Sequence, residues 1–301
     1  MTEALQITDI LEAFKRYDGE YKKSAVEAAI AKKEELEPHL IRILENLRAN
    51  PDPYIDDPDL FDQLYAFMLL GHFKTTAAHP VLVDIFSLPP DIPSKVFGDI
   101  WLTYLPGILL DTCGGSLERI KELALNRNAN MYARTSALEA MALAVALGMA
   151  ERMEVLSFYE SLFTAEEAEP DSDFWSLMAM SMVDLHPVEI METVKRAYEE
   201  GLIFSGMIRY EDFEKAIAGG PEKGMESLKH EYERFSAADI HKAMSGWACF
   251  QDDTPSRMDF PEPDDMPNPH LGDTDKQGRK KKKTAKKKRK MAKASKKKNR
   301  R

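Results

Sequence analysis

Apolar residues recur along this chain at spacings of three and four, the period of a helix with one buried face. Segment 37–49 carries Leu40, Ile43, Leu44 and Leu47 on a single stripe. Segment 60–73 does the same with Phe61, Leu64, Tyr65, Met68 and Leu69. Ile190, Met191, Val194, Ala197 and Tyr198 line a third face, and Gly201 stands where that helix should end. Residues 132–148 are apolar nearly all round, which places that helix centrally in a core. Further helices are expected behind Thr8 or Asp9, over 24–36, behind Ser116 with Leu117, Ile120, Leu123 and Ala124 buried, and in three more polar stretches between 208 and 247. Three prolines in 50–59 predict a loop. No alternating run and no hairpin turn flanked by strands is present, so the fold class is all-α.

Two helices begin with the same dipeptide, His79-Pro80 and His186-Pro187, 107 residues apart. Proline is tolerated in the first turn because that amide has no helical acceptor. A pair of short antiparallel helices cannot bury its stripe alone, so such pairs stack into a solenoid. The separation covers two to three pairs at the roughly 40-residue period of HEAT-type repeats.

Five stretches together resemble one bacterial family, known as the domain of unknown function number eleven eighty-six. They are EAAIAKKEELEPHLIRILE, LYAFMLLGHF, FGDIWLTYLPGILLDTCGGSLERIKELALN, YARTSALEAM and DLHPVEIMETVKRAYEEGLI. The resemblance runs from about Leu5 to about Trp247 and implies a HEAT-like α-solenoid with no assigned activity. The YARTSALEA segment also resembles the second helix of a HEAT repeat, and that likeness implies a structural ladder in which Arg134 pairs with an acid such as Asp99 or Asp111. Many relatives end in a cysteine-rich zinc motif that begins Gly-Arg. Gly278 and Arg279 stand at that place here, but the cysteines are missing. Zinc needs thiolates or imidazoles in tetrahedral array, so no zinc is expected.

Charge divides the chain into three parts. The helical-repeat body, 1–249, carries −20; a Pro-rich linker, 250–275, carries −7; the tail, 276–301, carries +17 with no acid. The linker holds too little apolar surface to offset ordering entropy, so linker and tail are expected to be disordered. In the tail, Arg279, Lys280, Lys281, Lys282, Lys283, Lys286, Lys287, Lys288, Arg289 and Lys290 form the candidate polyanion-binding set. Without an aromatic residue to stack on bases, its contact with nucleic acid would be nonspecific.

Catalytic signatures are missing. The sequence has no HExxH, GxSxG, Walker or GxGxxG pattern. Cys113 and Cys249 read as two reduced thiols of a cytosolic protein. His79 and His186 read as caps or core contacts, and Gly114-Gly115 as a connection between helices rather than an anion-binding nest. The pair Glu166–Glu167 reads as solvated, while Trp101, Trp175 and Trp247 read as core or groove lining. The N-terminus carries acids and lacks the apolar run of a signal peptide. Arg134 and Glu139 interrupt the only stretch long enough to span a bilayer. The expectation is a cytoplasmic, non-enzymatic scaffold without a cofactor that binds an unidentified protein partner. The alternative is a nucleic-acid- or ribosome-associated protein that binds through its tail.

Overall fold

A computed structural model describes residues 5–164, 166–169 and 172–251. Sixteen α-helices form among them, and the only β-type pairing there is an isolated bridge between Arg16 and Leu60. The helices are α1 (Ile7–Lys15), α2 (Lys23–Ala31), α3 (Lys33–Ala49), α4 (Asp52–Asp56), α5 (Asp62–Phe73), α6 (His79–Phe86), α7 (Ile92–Phe97) and α8 (Ile100–Thr112). There follow α9 (Glu118–Leu125), α10 (Met131–Ala146), α11 (Arg152–Ser161), α12 (Phe174–Met182), α13 (Met191–Glu199), α14 (Tyr210–Gly219), α15 (Pro221–Phe235) and α16 (Ile240–Ser245). The expected linker and tail fall almost entirely outside the described residues.

Local chemistry accounts for several boundaries. α1 opens one residue before Thr8, because the Asp9 carboxylate reaches back to the Gln6 amide at 3.0 Å and satisfies a free helix donor. α6 starts at His79 with Pro80 in its first turn, as the dipeptide predicts. α9 begins at Glu118, with Leu117 rather than Ser116 as its cap. The proline-rich loop is not wholly irregular: α4 forms inside it, with Pro53 in its first turn.

The chain divides into two compact units. The first takes residues up to 155 and returns at 225–251; the second takes 156–224. In the first unit α3 packs on α5 and α6, α6 on α9, α5 on α8, and α10 on both α8 and α9. Leu36, Leu40, Leu44 and Leu47 of α3 are fully buried. Each contributes about 1.5–3 kcal/mol by leaving water. α10 is buried on nearly every side, as its composition predicts. α5 departs from the expected stripe, since Gln63, Ala66, Phe67, Leu70 and Gly71 are buried too. Helices on opposite flanks cover it, and Gln63 is accommodated because its Nε2 donates to the carbonyls of Leu60 and Val96, each at 3.1 Å.

In the second unit Trp175 is fully buried, with its indole N–H donating to the Leu162 carbonyl at 3.2 Å. Glu167, expected to be solvated, is buried in this unit at 6 % exposure. His186 takes a left-handed backbone (φ 53°), and its Nε2 donates to the Ile217 carbonyl at 3.1 Å. The Thr193 hydroxyl donates to Glu160 at 2.6 Å and ties α13 to α11.

Candidate protein-binding cradle

In the first unit, residues 236–251 lie across side chains presented by α5, α8 and the turn after α1. Four polar contacts hold this strap. His72 Nδ1 donates to the Ala237 carbonyl at 2.9 Å. Tyr104 donates to the Ala243 carbonyl at 3.1 Å, and Tyr17 to the Cys249 carbonyl at 2.6 Å. The Tyr21 hydroxyl meets His241 Nδ1 at 2.8 Å. Three of the four capture main-chain carbonyls, and sequence separations run from 139 to 232 residues.

Apolar side chains fill the space between these anchors. Ile240, Met244 and Trp247 of the strap are buried, at 2 %, 0 % and 7 % exposure. Trp247 and Phe250 stack at 5.8 Å, and Phe250 meets the rings of Tyr17, Tyr21 and Phe61. Phe14 stacks on Tyr65 at 4.2 Å beneath them. Burial raises the Tyr21 and Tyr104 phenols above their ordinary range, so both stay protonated and able to donate.

α15 leads into the strap and is pinned by a polar triad. Tyr232 donates to Asp111 Oδ1 at 2.6 Å, and Lys74 Nζ reaches the same oxygen at 2.8 Å and the Tyr232 hydroxyl at 3.2 Å. The Asp111 side chain is only 6 % exposed. Its charge holds the Lys74 ammonium above the usual lysine range, while burial first and Asp111 second push the Tyr232 phenol up. Lys74 caps α5 in a left-handed conformation (φ 56°), which turns its side chain out of the helical path toward Asp111.

Nearby titratable groups are strained by burial. Glu139 on α10 rises to about 7 because it is desolvated and faces Glu231 of α15. His79 falls to about 4 by desolvation, with a smaller contribution from Arg119. The Thr112 hydroxyl gives its hydrogen to the Ile108 carbonyl, so it accepts from His79 Nδ1 at 3.0 Å, and Nε2 is left buried without a partner. Of the two histidines before proline, His79 thus makes a core contact, while His186 is half-buried and bonds the Ile217 carbonyl.

The remaining sequence candidates are dispersed. Arg134 is buried, with Nε donating to the Ala124 carbonyl at 2.8 Å, and Asp99 is exposed at the N-cap of α8. Cys113 is buried, with Sγ donating to the Leu110 carbonyl at 3.1 Å, and burial pushes its thiol up, away from a reactive thiolate. Gly114 and Gly115 are both left-handed, which ends α8 and does not give the alternating backbone of an anion nest. Arg279, Lys280 and the other tail bases lie outside the described residues. Among the described residues no cluster of three or more His, Cys, Asp or Glu could hold a metal ion. No described helix is long and apolar enough to cross a membrane.

The cradle has no signature in the sequence. Tyr17, Tyr21, His72, Lys74 and Tyr104 carry no motif. Asp111 was visible only as a possible partner for Arg134.

Comparison with known proteins agrees in extent with the described body. The family described as protein of unknown function (DUF1186) matches residues 5–251. An uncharacterised protein of Chlamydia trachomatis serovar D is 30 % identical over 213 residues, covering 71 % of this chain and 84 % of the relative. One from Chlamydia muridarum is 29 % identical over 236 residues, covering 78 % and 92 %. No solved structure matches.

Proposed function

The chain belongs to the DUF1186 family of proteins of unknown function, and for this member we propose a non-enzymatic binding scaffold with a HEAT-like repeat body. Support for the repeat comes from side-chain bonds between successive helix pairs. Arg48 of α3 and Arg119 of α9 both reach Asp84 of α6, across 36 and 35 residues. Lys121 reaches Glu154 across 33 residues. In the second unit, Thr193 reaches Glu160 across 33 residues. Three steps of about 36 also fit the 107 residues between His79 and His186. The period is shorter than the roughly 40 residues expected of HEAT repeats.

The observation that carries the binding reading is the cradle. Its hydroxyl and imidazole donors hold the main chain of a peptide segment while an aromatic floor takes the side chains, a chemistry suited to polypeptide ligands. The acidic body, −20 over residues 1–249, favours a partner with a basic face. Affinity capture with the full chain and with a chain lacking 276–301, each with and without nuclease, tests this reading. The scaffold predicts a protein recovered by both forms and resistant to nuclease. Recovery that requires the tail would reject it.

A second reading rests on the 17 Lys and Arg of 276–301. The tail would hold RNA or DNA by counterion release, and with about 6–10 phosphate contacts affinity would fall roughly 10³–10⁵-fold between 50 and 200 mM salt. Gel-shift of a homopolymer RNA retained after deletion of 276–301 would reject it.

A further inference from the structure

We infer that the strap of residues 236–251 occupies, within the chain, a groove whose ligand in trans is an amphipathic peptide of the strap's own pattern. This rests on the scaffold reading and names the partner's chemistry. The recognised features are a short helix with apolar residues at i and i+4, followed beyond its end by aromatics at i+7 and i+10. In the strap these are Ile240, Met244, Trp247 and Phe250.

The donors of the cradle are matched to backbone rather than to side chains. Ala237 precedes α16, Ala243 lies in its last turn, and Cys249 lies in the turn beyond it. Helix geometry leaves the carbonyls of Ala243 and Cys249, in terminal turns, without helical partners, and Ala237 lies ahead of the helix where its carbonyl has none either. His72, Tyr104 and Tyr17 take up those three carbonyls. Any peptide with the same backbone course would satisfy them equally, whatever its sequence. Selection then falls to the apolar floor, where the rings of Tyr17, Tyr21 and Phe61 receive the terminal aromatic.

The strap is also built to leave. α16 has six residues, far too few for a helix to persist unaided. Strap residues 238, 239, 242, 245, 246, 248 and 251 are exposed, so these positions bury little to set against their conformational cost. Removing it would not dismantle the α3, α5, α6, α8, α9 and α10 assembly, whose helices pack on one another. Asp111, Lys74 and Tyr232 fix α15 just upstream, so an open strap stays tethered and competes locally with any incoming ligand.

The test uses the full chain and a fluorescein-labelled synthetic peptide of residues 236–251. A full-length variant with Trp247→Ala and Phe250→Ala weakens the strap and leaves the cradle intact. It should bind the peptide at least tenfold more tightly than the unaltered chain, and adding Tyr17→Phe and Tyr104→Phe should reduce that binding. Equal affinity for variant and unaltered chain, with the variant folded by circular dichroism, overturns the inference. If the variant does not fold, hydrogen exchange on the unaltered chain decides. Strap amides should exchange at least 100-fold faster than those of α8, and equal rates overturn the inference. A concentration-dependent dimer of the unaltered chain that is lost on Trp247→Ala would assign the groove to a second copy and overturn it too. Nuclease-resistant capture that persists despite a failed peptide test removes this inference alone, whereas loss of that capture removes the scaffold reading itself.

Discussion

Tyr232 donates its phenolic hydrogen to the carboxylate of Asp111 at 2.6 Å, across 121 positions of sequence. A hydrogen bond to a charged, nearly buried acceptor contributes about 1.5–3 kcal/mol. Lys74 stays on the same oxygen when the phenol is lost, so the cost of Tyr232→Phe should fall toward the lower end. Thermal unfolding should shift down by roughly 3–6 °C for a protein of this size. A double-mutant cycle with Asp111→Asn should give a coupling of about 1–2 kcal/mol. Independent, additive losses would show that the pair does not anchor α15.

Close helix contact makes a second prediction. A Cβ added at Gly71 of α5 would sit 2.5 Å from Ile108 Cγ1 of α8. Gly71→Ala should therefore destabilise by about 1–3 kcal/mol through overpacking. Combining it with Ile108→Ala, which empties that space, should cost less than the two single changes added together. Chemical denaturation of the three variants checks this. At Gly224, in the second unit, the added atom would strike the main-chain carbonyl of Asp184, which no rotamer change relieves. Gly224→Ala should be the more damaging of the two alanine variants.

Two buried groups should give opposite pH slopes. Glu139 is raised from 4.5 to about 7, so the folded state binds the extra proton and stability falls as pH rises from about 4.5 to 7. Its neutral isostere, Glu139→Gln, should remove that fall and gain on the order of 2–3 kcal/mol above pH 7. His79 is lowered from 6.5 to about 4, so the unfolded state binds the proton and stability is lost as pH drops from about 6.5 to 4. Between pH 4.5 and 6.5 the two effects oppose each other in the unaltered chain. Asp62, raised to about 6 by burial, acts equally in both chains, so the denaturant midpoint of Glu139→Gln minus that of the unaltered chain should rise with pH across this range. A profile parallel to that of the unaltered chain would refute the assignment.

The Arg48–Asp84–Arg119 ladder should matter little to stability at moderate salt. Its side chains are 35–47 % exposed, and surface ion pairs contribute about 0–1 kcal/mol each. Asp84→Asn is expected to cost about 1 kcal/mol or less, with the difference shrinking in high salt. A loss above 3 kcal/mol would mean that the ladder holds the helix pairs together, a role assigned above to the apolar faces.

Sequence alone determined many of the helices and most of their inward faces, but not α4, α7 or α8. The stripe of α3, the central burial of α10 and the proline in the first turn of α6 all follow from positions a few residues apart, where side-chain period and amide geometry act directly. Burial on the second face of α5 was not legible, because it depends on which helix lies over Ala66, Phe67 and Leu70. The cradle was hidden for the same reason. Tyr17, Tyr104 and Tyr232 are ordinary tyrosines in sequence, and their partners stand between 121 and 232 residues away. Local spacing fixes which side of a helix avoids water, but only the folded chain decides which distant carbonyl or carboxylate a lone hydroxyl meets there.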